Sequence, residues 1–156
     1  MDTIKKILAP TDLSDLSLAG VRYALELART MGAEVAVYHA IEVEQLMHQS
    51  TAGLLDDVVK KYETAIKRFL KAQCSDLLPG VAIGIKAEFG TPDLNIVDEA
   101  KKEGTDLIVI STHGRTGLSH ILVGSVTERV VRNAPCPVLS IRPEKIGKAE
   151  RTARAA

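Results

Sequence analysis

The sequence predicts an α/β fold in which a doubly wound, five-stranded parallel sheet carries helices on both faces. Short runs of consecutive apolar residues alternate along the chain with stretches of helical period. Such runs are typical of strands buried on both faces of a parallel sheet. Because alternating strands and helices are joined by right-handed crossovers, the order β-α-β-α-β-α-β-α-β indicates a Rossmann-like sandwich.

The predicted strands are β-branched or aliphatic runs that are bounded by turn residues. They are Ile4–Ala9, Glu34–Ile41, Val81–Glu88, Asp106–Ile110 and Pro137–Ile141.

The first two predicted helices are indicated by their apolar stripes. Apolar residues recur at helical spacing from Leu18 to Met31, and Gly32 follows as a natural C-terminal stop. Residues 54–73 combine one apolar stripe with a charged face that we expect to be solvated.

The last two predicted helices are indicated by their ends. Gly90-Thr91-Pro92 starts the third, since proline favours the first turn, and Gly104 ends it. The fourth starts near Gly124-Ser125 and ends at Asn133, before Ala134-Pro135.

Length and charge limit the possible classes of protein. A chain of 156 residues, 46% hydrophobic and 26% charged, fits a single domain with a sizeable core. Twenty Lys and Arg balance twenty Asp and Glu, whereas a general nucleic-acid binder usually carries a strong basic excess. We therefore expect no nucleic-acid partner.

Cysteine usage and hydropathy indicate the compartment. Cys74 and Cys136 lie far apart without a CxxC motif, which excludes a disulfide scaffold and a zinc ribbon, and we expect Cys136 to be buried. The N-terminus lacks a secretory apolar region, and no window approaches the roughly 18 apolar residues of a membrane span. We expect a cytoplasmic protein with no membrane partner. Its domain would cover residues 1–143, followed by a disordered basic tail over 144–156.

Polar and glycine-rich segments follow three predicted strands at the carboxyl edge, where open parallel sheets bind ligands. They are residues 9–12, 39–41 and 111–117, and residues 124–127 open the next helix. Glycines allow the backbone to approach a ligand, a helix start attracts anions, and Asp12 can accept hydrogen bonds from a ribose. The pattern resembles a mononucleotide pocket. The alternative is that the glycines only shape a strand-to-helix turn.

Several established motifs are absent from the sequence. Neither the P-loop G-x-x-x-x-G-K-[ST] nor G-x-G-x-x-G after the first strand occurs. No G-x-S-x-G elbow or recognisable nucleophile accompanies His39 or His113, so we expect both to make hydrogen bonds and assign no catalytic residue.

Four segments of the chain resemble the universal stress protein family in its single-domain type, and the match spans residues 3–143. They are residues 6–14 (KILAPTDLS), 38–41 (YHAI), Gly90-Thr91-Pro92, and residues 112–143, which are the most specific. Many nucleotide-binding members carry G-x-x-G-x9-G-[ST]. Here Gly114, nine residues and Gly124-Ser125 match this pattern, whereas Ser111 replaces its first glycine.

The resemblance implies a site for ATP. The loop lacks a carboxylate cluster, so we expect Mg²⁺ or Mn²⁺ to be held mainly by the phosphates. The implied contacts to adenine and ribose are Pro10, Thr11, Asp12 and Ala40. The implied contacts to ribose and phosphates are Ser111, Thr112, His113, Gly114, Arg115, Thr116 and Gly117, with Gly124, Ser125, Val126 and Thr127 at the phosphate end.

The last predicted strand indicates a homodimer through residues 137–142. It belongs at a sheet edge and has no lysine or proline at its centre, so an identical edge can pair with it in a two-fold symmetric dimer. Members of the family commonly dimerise through this strand. The alternative is a monomer whose edge is covered by a helix or by the tail.

Three functions stay open at this point. The first is an ATP-binding regulatory protein of the stress response, and the second is a nucleotide-free dimeric interaction module of the same fold. The third is an enzyme, which is disfavoured because no general base lies beside the phosphate loop and no acceptor-substrate domain is present. The spacing from Gly114 to Ser125 favours the first. Slow ATP hydrolysis is not readable from the sequence.

Overall fold

The computed structural model describes residues 3–44, 55–113 and 123–143. Its elements, in chain order, are β1 (Lys6–Pro10), α1 (Leu18–Met31), β2 (Glu34–Ile41), α2 (Leu55–Gln73), β3 (Ala82–Phe89), α3 (Pro92–Glu103), β4 (Leu107–Ser111), α4 (Ser125–Asn133) and β5 (Val138–Ile141). Every predicted strand and helix is present. The predicted tail over residues 144–156 lies outside the described residues.

The five strands form one parallel sheet with the order β3-β2-β1-β4-β5. Ile7 of β1 is in register with Val35 of β2 on one side and Leu107 of β4 on the other. The chain therefore reverses its direction of winding between β1 and β4, which is the switch point where doubly wound sheets bind ligands. The predicted fold class is confirmed, and β5 lies at an edge as expected.

One face of the sheet is covered by α1 and α2. The buried cluster on this side joins Ile7 and Val37 of the sheet to Leu25 of α1 and Ile66 of α2. The apolar stripes predicted for both helices therefore form the larger of the two cores.

The other face is covered by α3 and α4. Leu8 and Ile108 point to this side and pack with Ile96 of α3 and Val130 of α4. Because successive strand residues point to opposite faces, the continuous apolar runs fill both cores.

The two cysteines differ in burial. Cys74 is fully buried after α2, whereas Cys136, expected to be buried, is only partly so. The reason is its place two residues before β5, an edge strand with a neighbour on one side only. None of the described helices combines the length and hydrophobicity needed to cross a bilayer.

Candidate functional site

A cavity of about 330 Å³ opens at the carboxyl ends of β1, β2 and β4, beside the first turn of α4. Its volume lies at the lower end of the range for small-molecule sites. Every predicted site residue that the structure describes lines this cavity: Pro10, Thr11, Asp12, Ala40, Ser111, Thr112, His113, Gly124, Ser125, Val126 and Thr127. The other four, Gly114, Arg115, Thr116 and Gly117, lie outside the described residues.

The cavity also has walls that the sequence did not predict. These are Ser17, Tyr38, Glu42, Pro92, Ile96 and Ile110, and His39, placed at this edge by the sequence but not named as a contact, also lines it. The spacing of Pro92 and Ile96, four residues apart at the start of a helix, was a readable signal for part of this wall. Which other residues line the cavity depends on which strands are neighbours in the sheet.

The end of β1 is fixed to β2 through Thr11. The backbone N–H of Thr11 donates to the carbonyl oxygen of Tyr38 at 2.9 Å, and the Thr11 carbonyl lies 2.8 Å from Nδ1 of His39. The His39 ring is 2% exposed and stacks on Tyr62 of α2, with ring centroids 5.0 Å apart. The floor of the cavity is therefore held in place by β2, through these hydrogen bonds, and by α2, through the stacked rings.

The hydroxyl groups after β1 form a chain with a defined direction. The Ser17 hydroxyl donates to the Ser14 carbonyl at 2.9 Å. The Ser17 hydroxyl has no second proton to donate. At its 2.8 Å contact with the Thr11 hydroxyl, Thr11 is therefore the donor. Thr11 Oγ1 in turn accepts from the N–H of Leu13 at 3.0 Å.

The same turn orients Asp12. Its Oδ1 atom accepts hydrogen bonds from the backbone N–H of Ser14, at 3.0 Å, and from the Ser14 hydroxyl. Leu13 between them has a φ of +64°, a left-handed conformation that is unusual for a branched side chain. The turn thus holds the Asp12 carboxylate at the cavity wall as a hydrogen-bond acceptor.

The first turn of α4 forms the opposite wall. The N–H of Gly124 donates to the Thr112 carbonyl at 2.7 Å, and a Cβ atom on Gly124 would lie 3.1 Å from that oxygen. Ser125 is exposed at the first helical position. The N–H groups that open a helix have no partner within it and carry partial positive charge, so this wall attracts anions.

The end of β4 links this wall to α1. The Ser111 hydroxyl contacts Gly20 and Ser17 at the start of α1, and the Thr127 hydroxyl donates to the Ser111 carbonyl at 2.8 Å. His113 Nδ1 lies 2.8 Å from the Thr112 hydroxyl. Ser111 and Thr127 line the cavity, yet the structure gives their hydroxyl groups partners within the protein.

A polar network behind the apolar wall fixes α3 to the sheet. Lys86 Nζ lies 2.7 Å from Glu99 Oε2 and 2.9 Å from Glu88 Oε1, and the Tyr38 hydroxyl donates to Glu88 Oε2 at 3.0 Å. Burial raises the pKa of Tyr38, so its hydroxyl stays protonated and donates. Burial alone would raise the pKa of Glu88, but hydrogen bonds from Lys86 and Tyr38 lower it below its ordinary value.

The side chains that most often bind metal ions form no cluster in the described part of the chain. Within residues 3–44, 55–113 and 123–143, no group of three or more His, Cys, Asp and Glu side chains is placed to hold a metal ion.

Comparison with known proteins identifies the family. The model of the universal stress protein family matches residues 3–142. The chain belongs to the universal stress protein family.

Relatives of this family share nearly the whole chain. The universal stress protein MJ0531 of Methanocaldococcus jannaschii is 37% identical over 144 residues, which are 90% of this chain and 84% of MJ0531. The solved structure of the hypothetical protein MJ0577 is 27% identical and superposes with a TM-score of 0.75, covering 92% of this chain and 99% of that protein.

A third relative was solved with a ligand. This universal stress protein, in complex with cAMP, is 24% identical and has a TM-score of 0.68, over 90% of this chain and 98% of its own. At that identity the superposition shows a shared universal stress protein fold and no more.

Proposed function

We propose that this universal stress protein binds ATP in the cavity at the carboxyl edge of its sheet and acts as a nucleotide-dependent regulatory protein of the stress response. The observation that carries the proposal is the arrangement of three walls around one cavity: an apolar wall, a carboxylate and a helix start. These three match the base, the sugar and the phosphates of a nucleotide.

The apolar wall suits a flat base. Ala40, Ile96 and Ile110 belong to the buried core between the sheet and α3, and all three border the cavity. Apolar surface that faces a ligand favours an aromatic ring, since both are removed from water on binding.

Asp12 suits the ribose. The Ser14 N–H and hydroxyl hold Asp12 in place at the cavity wall, and an ionised carboxylate, which carries no proton, is a hydrogen-bond acceptor only. A group that binds there must donate hydrogen bonds, as the hydroxyls of a ribose do.

The start of α4 suits the phosphates. Ser125 and Val126 bring backbone N–H groups and the positive helix end to the cavity, and Gly124 leaves the approach to them open. Because the described residues supply no carboxylate cluster for a metal, Mg²⁺ or Mn²⁺ would be held mainly by the phosphates. A relative of the same fold binds cAMP, another adenine nucleotide.

Calorimetric titration of the purified chain tests the proposal. We expect binding of Mg-ATP, weaker binding of Mg-GTP, and weaker binding of adenosine, which lacks the phosphates. Asp12→Asn keeps the size of the side chain and replaces one acceptor oxygen with a donor, so it should weaken ATP binding by about tenfold. It should weaken 2′,3′-dideoxy-ATP less, because that analogue cannot donate from the sugar.

Failure to detect ATP at millimolar concentration would favour the second candidate, a nucleotide-free interaction module. Equal affinity for ATP and adenosine would contradict the assignment of the helix start to the phosphates. We assign no catalytic residue.

The assembly we propose is a homodimer through β5. The two edges of the sheet differ: β3 carries the charged residues Lys86 and Glu88, and charged side chains on an edge strand oppose pairing, whereas Val138–Ile141 carry no charge. An uncharged edge strand favours a second copy of the chain as its partner.

A further inference from the structure

The Ser111 hydroxyl lies between two backbone groups at the start of α1. It accepts a hydrogen bond from the N–H of Gly20 at 2.9 Å and donates to the carbonyl of Ser17 at 3.3 Å. The side chain of Ser17, which precedes α1, makes no capping hydrogen bond to the helix. Ser111, which lies 91 positions from Gly20 along the chain, supplies the acceptor that the first turn of a helix needs.

The approach of the two elements is close. A Cβ atom on Gly20 would lie 2.7 Å from the backbone nitrogen of Ser111, a separation that real side chains do not adopt. Gly20 therefore allows α1 to rest directly on the end of β4, and the contact has little freedom to shift.

The same residue also fixes the start of α4, on the opposite face of the sheet. Thr127, in the first turn of α4 and 4% exposed, donates from its hydroxyl to the Ser111 carbonyl at 2.8 Å. Ser111 is thus bonded through its side chain to α1 and through its backbone to α4.

We propose that Ser111 is a positioning residue that couples the phosphate end of the nucleotide site, at the start of α4, to the start of α1. An opening that separates Gly20 from Ser111 displaces the Ser111 carbonyl from Thr127, and with it the first turn of α4. A nucleotide bound at that turn favours the closed state and so protects the Gly20 amide. This coupling rests on the proposed function, whereas the capping of α1 by Ser111 does not.

Hydrogen exchange of the Gly20 amide, with and without ATP, tests the coupling. Each variant is studied at an ATP concentration that saturates it, as set by its own titration. In the wild type we expect ATP to slow the exchange. In Ser111→Ala we expect exchange about tenfold faster without ATP, the effect of one lost hydrogen bond, and no slowing by ATP.

Thr127 provides the matched pair of variants. Thr127→Val keeps the shape and removes the hydroxyl, so ATP should no longer slow the exchange of Gly20. Thr127→Ser restores the hydroxyl and should restore the effect. If Ser111→Ala fails to fold, as judged by circular dichroism, the Thr127 pair still decides the matter.

Three outcomes have distinct meanings. A wild type that does not bind ATP overturns the proposed function and the coupling, while exchange without ATP still tests the capping. ATP that slows Gly20 exchange equally in Ser111→Ala and wild type overturns the coupling, and a weaker ATP affinity in that variant would then make the hydroxyl a phosphate ligand. Unchanged exchange of Gly20 in unliganded Ser111→Ala overturns the capping.

Discussion

His39 and Thr11 are joined by a hydrogen bond of 2.8 Å between Nδ1 and the backbone carbonyl oxygen. A carbonyl oxygen only accepts, so Nδ1 carries the proton and neutral His39 is the Nδ1–H tautomer. The bond joins the end of β1 to the end of β2, and the stack on Tyr62 adds α2 to the same junction. His39, which the sequence analysis expected to make a hydrogen bond, is therefore a structural donor at the floor of the cavity.

Replacement of His39 tests this role. His39→Phe keeps an aromatic ring for the stack but leaves the Thr11 carbonyl without its donor, at an expected cost of about 1–3 kcal/mol in the free energy of unfolding. His39→Asn retains an N–H donor and loses the ring, which separates the two contributions. Urea denaturation measures both, and a Phe variant as stable as the wild type would contradict the assignment.

Gly20 and Gly84 form a matched pair for close packing. Gly20→Ala places a methyl group 2.7 Å from the Ser111 nitrogen, and we expect a loss of about 1–3 kcal/mol from the forced separation of α1 and β4. A Cβ on Gly84 meets no atom within 4 Å, and alanine favours a strand over glycine by about 0.5–1 kcal/mol. In thermal unfolding, the melting temperature should fall for Gly20→Ala and rise for Gly84→Ala. Similar shifts for both variants would refute the close approach at Gly20.

Gly124→Val should weaken ATP binding by at least about tenfold, or about 1.4 kcal/mol. The branched side chain would lie beside the Thr112 carbonyl and would crowd the helix start that we propose binds phosphate. Calorimetry measures the loss and circular dichroism checks the fold, with Val123→Ala, a change at the exposed neighbouring residue, as control. Full affinity in a natively folded Gly124→Val protein would place the phosphates elsewhere.

Asp106 makes stability depend on pH in the acid range. Hydrogen bonds from the backbone N–H groups of Lys5 and Lys6, at 2.8 and 2.9 Å, lower the pKa of Asp106 below its ordinary value. A depressed folded pKa stabilises the protein above the unfolded pKa of about 3.9, and this stabilisation is lost as the pH falls through the folded value.

Asp106→Asn should therefore be less stable than the wild type at neutral pH, and the difference should vanish in strong acid. Urea denaturation at a series of pH values follows the two curves. Asp98→Asn, which changes an exposed carboxylate on α3, is the control and should run parallel to the wild type. A constant difference at all pH values would show that the charge of Asp106 is not responsible.

The proposed dimer should have twice the chain mass of 16.8 kDa in light scattering at micromolar concentration. Ile141→Lys should reduce the mass to that of a monomer, because charge on an edge strand opposes pairing. Ser140→Lys changes an exposed position of the same strand and serves if Ile141→Lys is unstable. Ala82→Lys adds the same charge to the β3 edge and should leave the mass unchanged. A wild-type monomer would end the proposal.

The local pattern of the chain was sufficient to predict the helices, the strands and which face of each helix is buried. Leu18 to Met31 and residues 92–103 became helices where their spacing and glycine stops predicted. The largest shift is at β1, which begins at Lys6 rather than Ile4, because pairing with Glu34 starts there. Strand ends depend on the neighbouring strand, and so no local signal marks them.

The sequence by itself determined the α/β class, the edge position of β5 and the segments that meet at the carboxyl edge, since period and turn residues are local properties and the right-handed crossover rule constrains how the elements connect. Only the tertiary structure decided what Ser111 and His39 do. Ser111 was expected to contact the ribose and phosphates, and His39 to make a hydrogen bond at the strand end, with no partner predicted for it. Their hydrogen-bond partners, Gly20 and Thr11, are set by the packing of α1 on β4 and of β1 beside β2. A polar side chain bonds to whatever the fold brings within about 3 Å, and residues 91 positions apart along the chain give no sign of that in their own spacing.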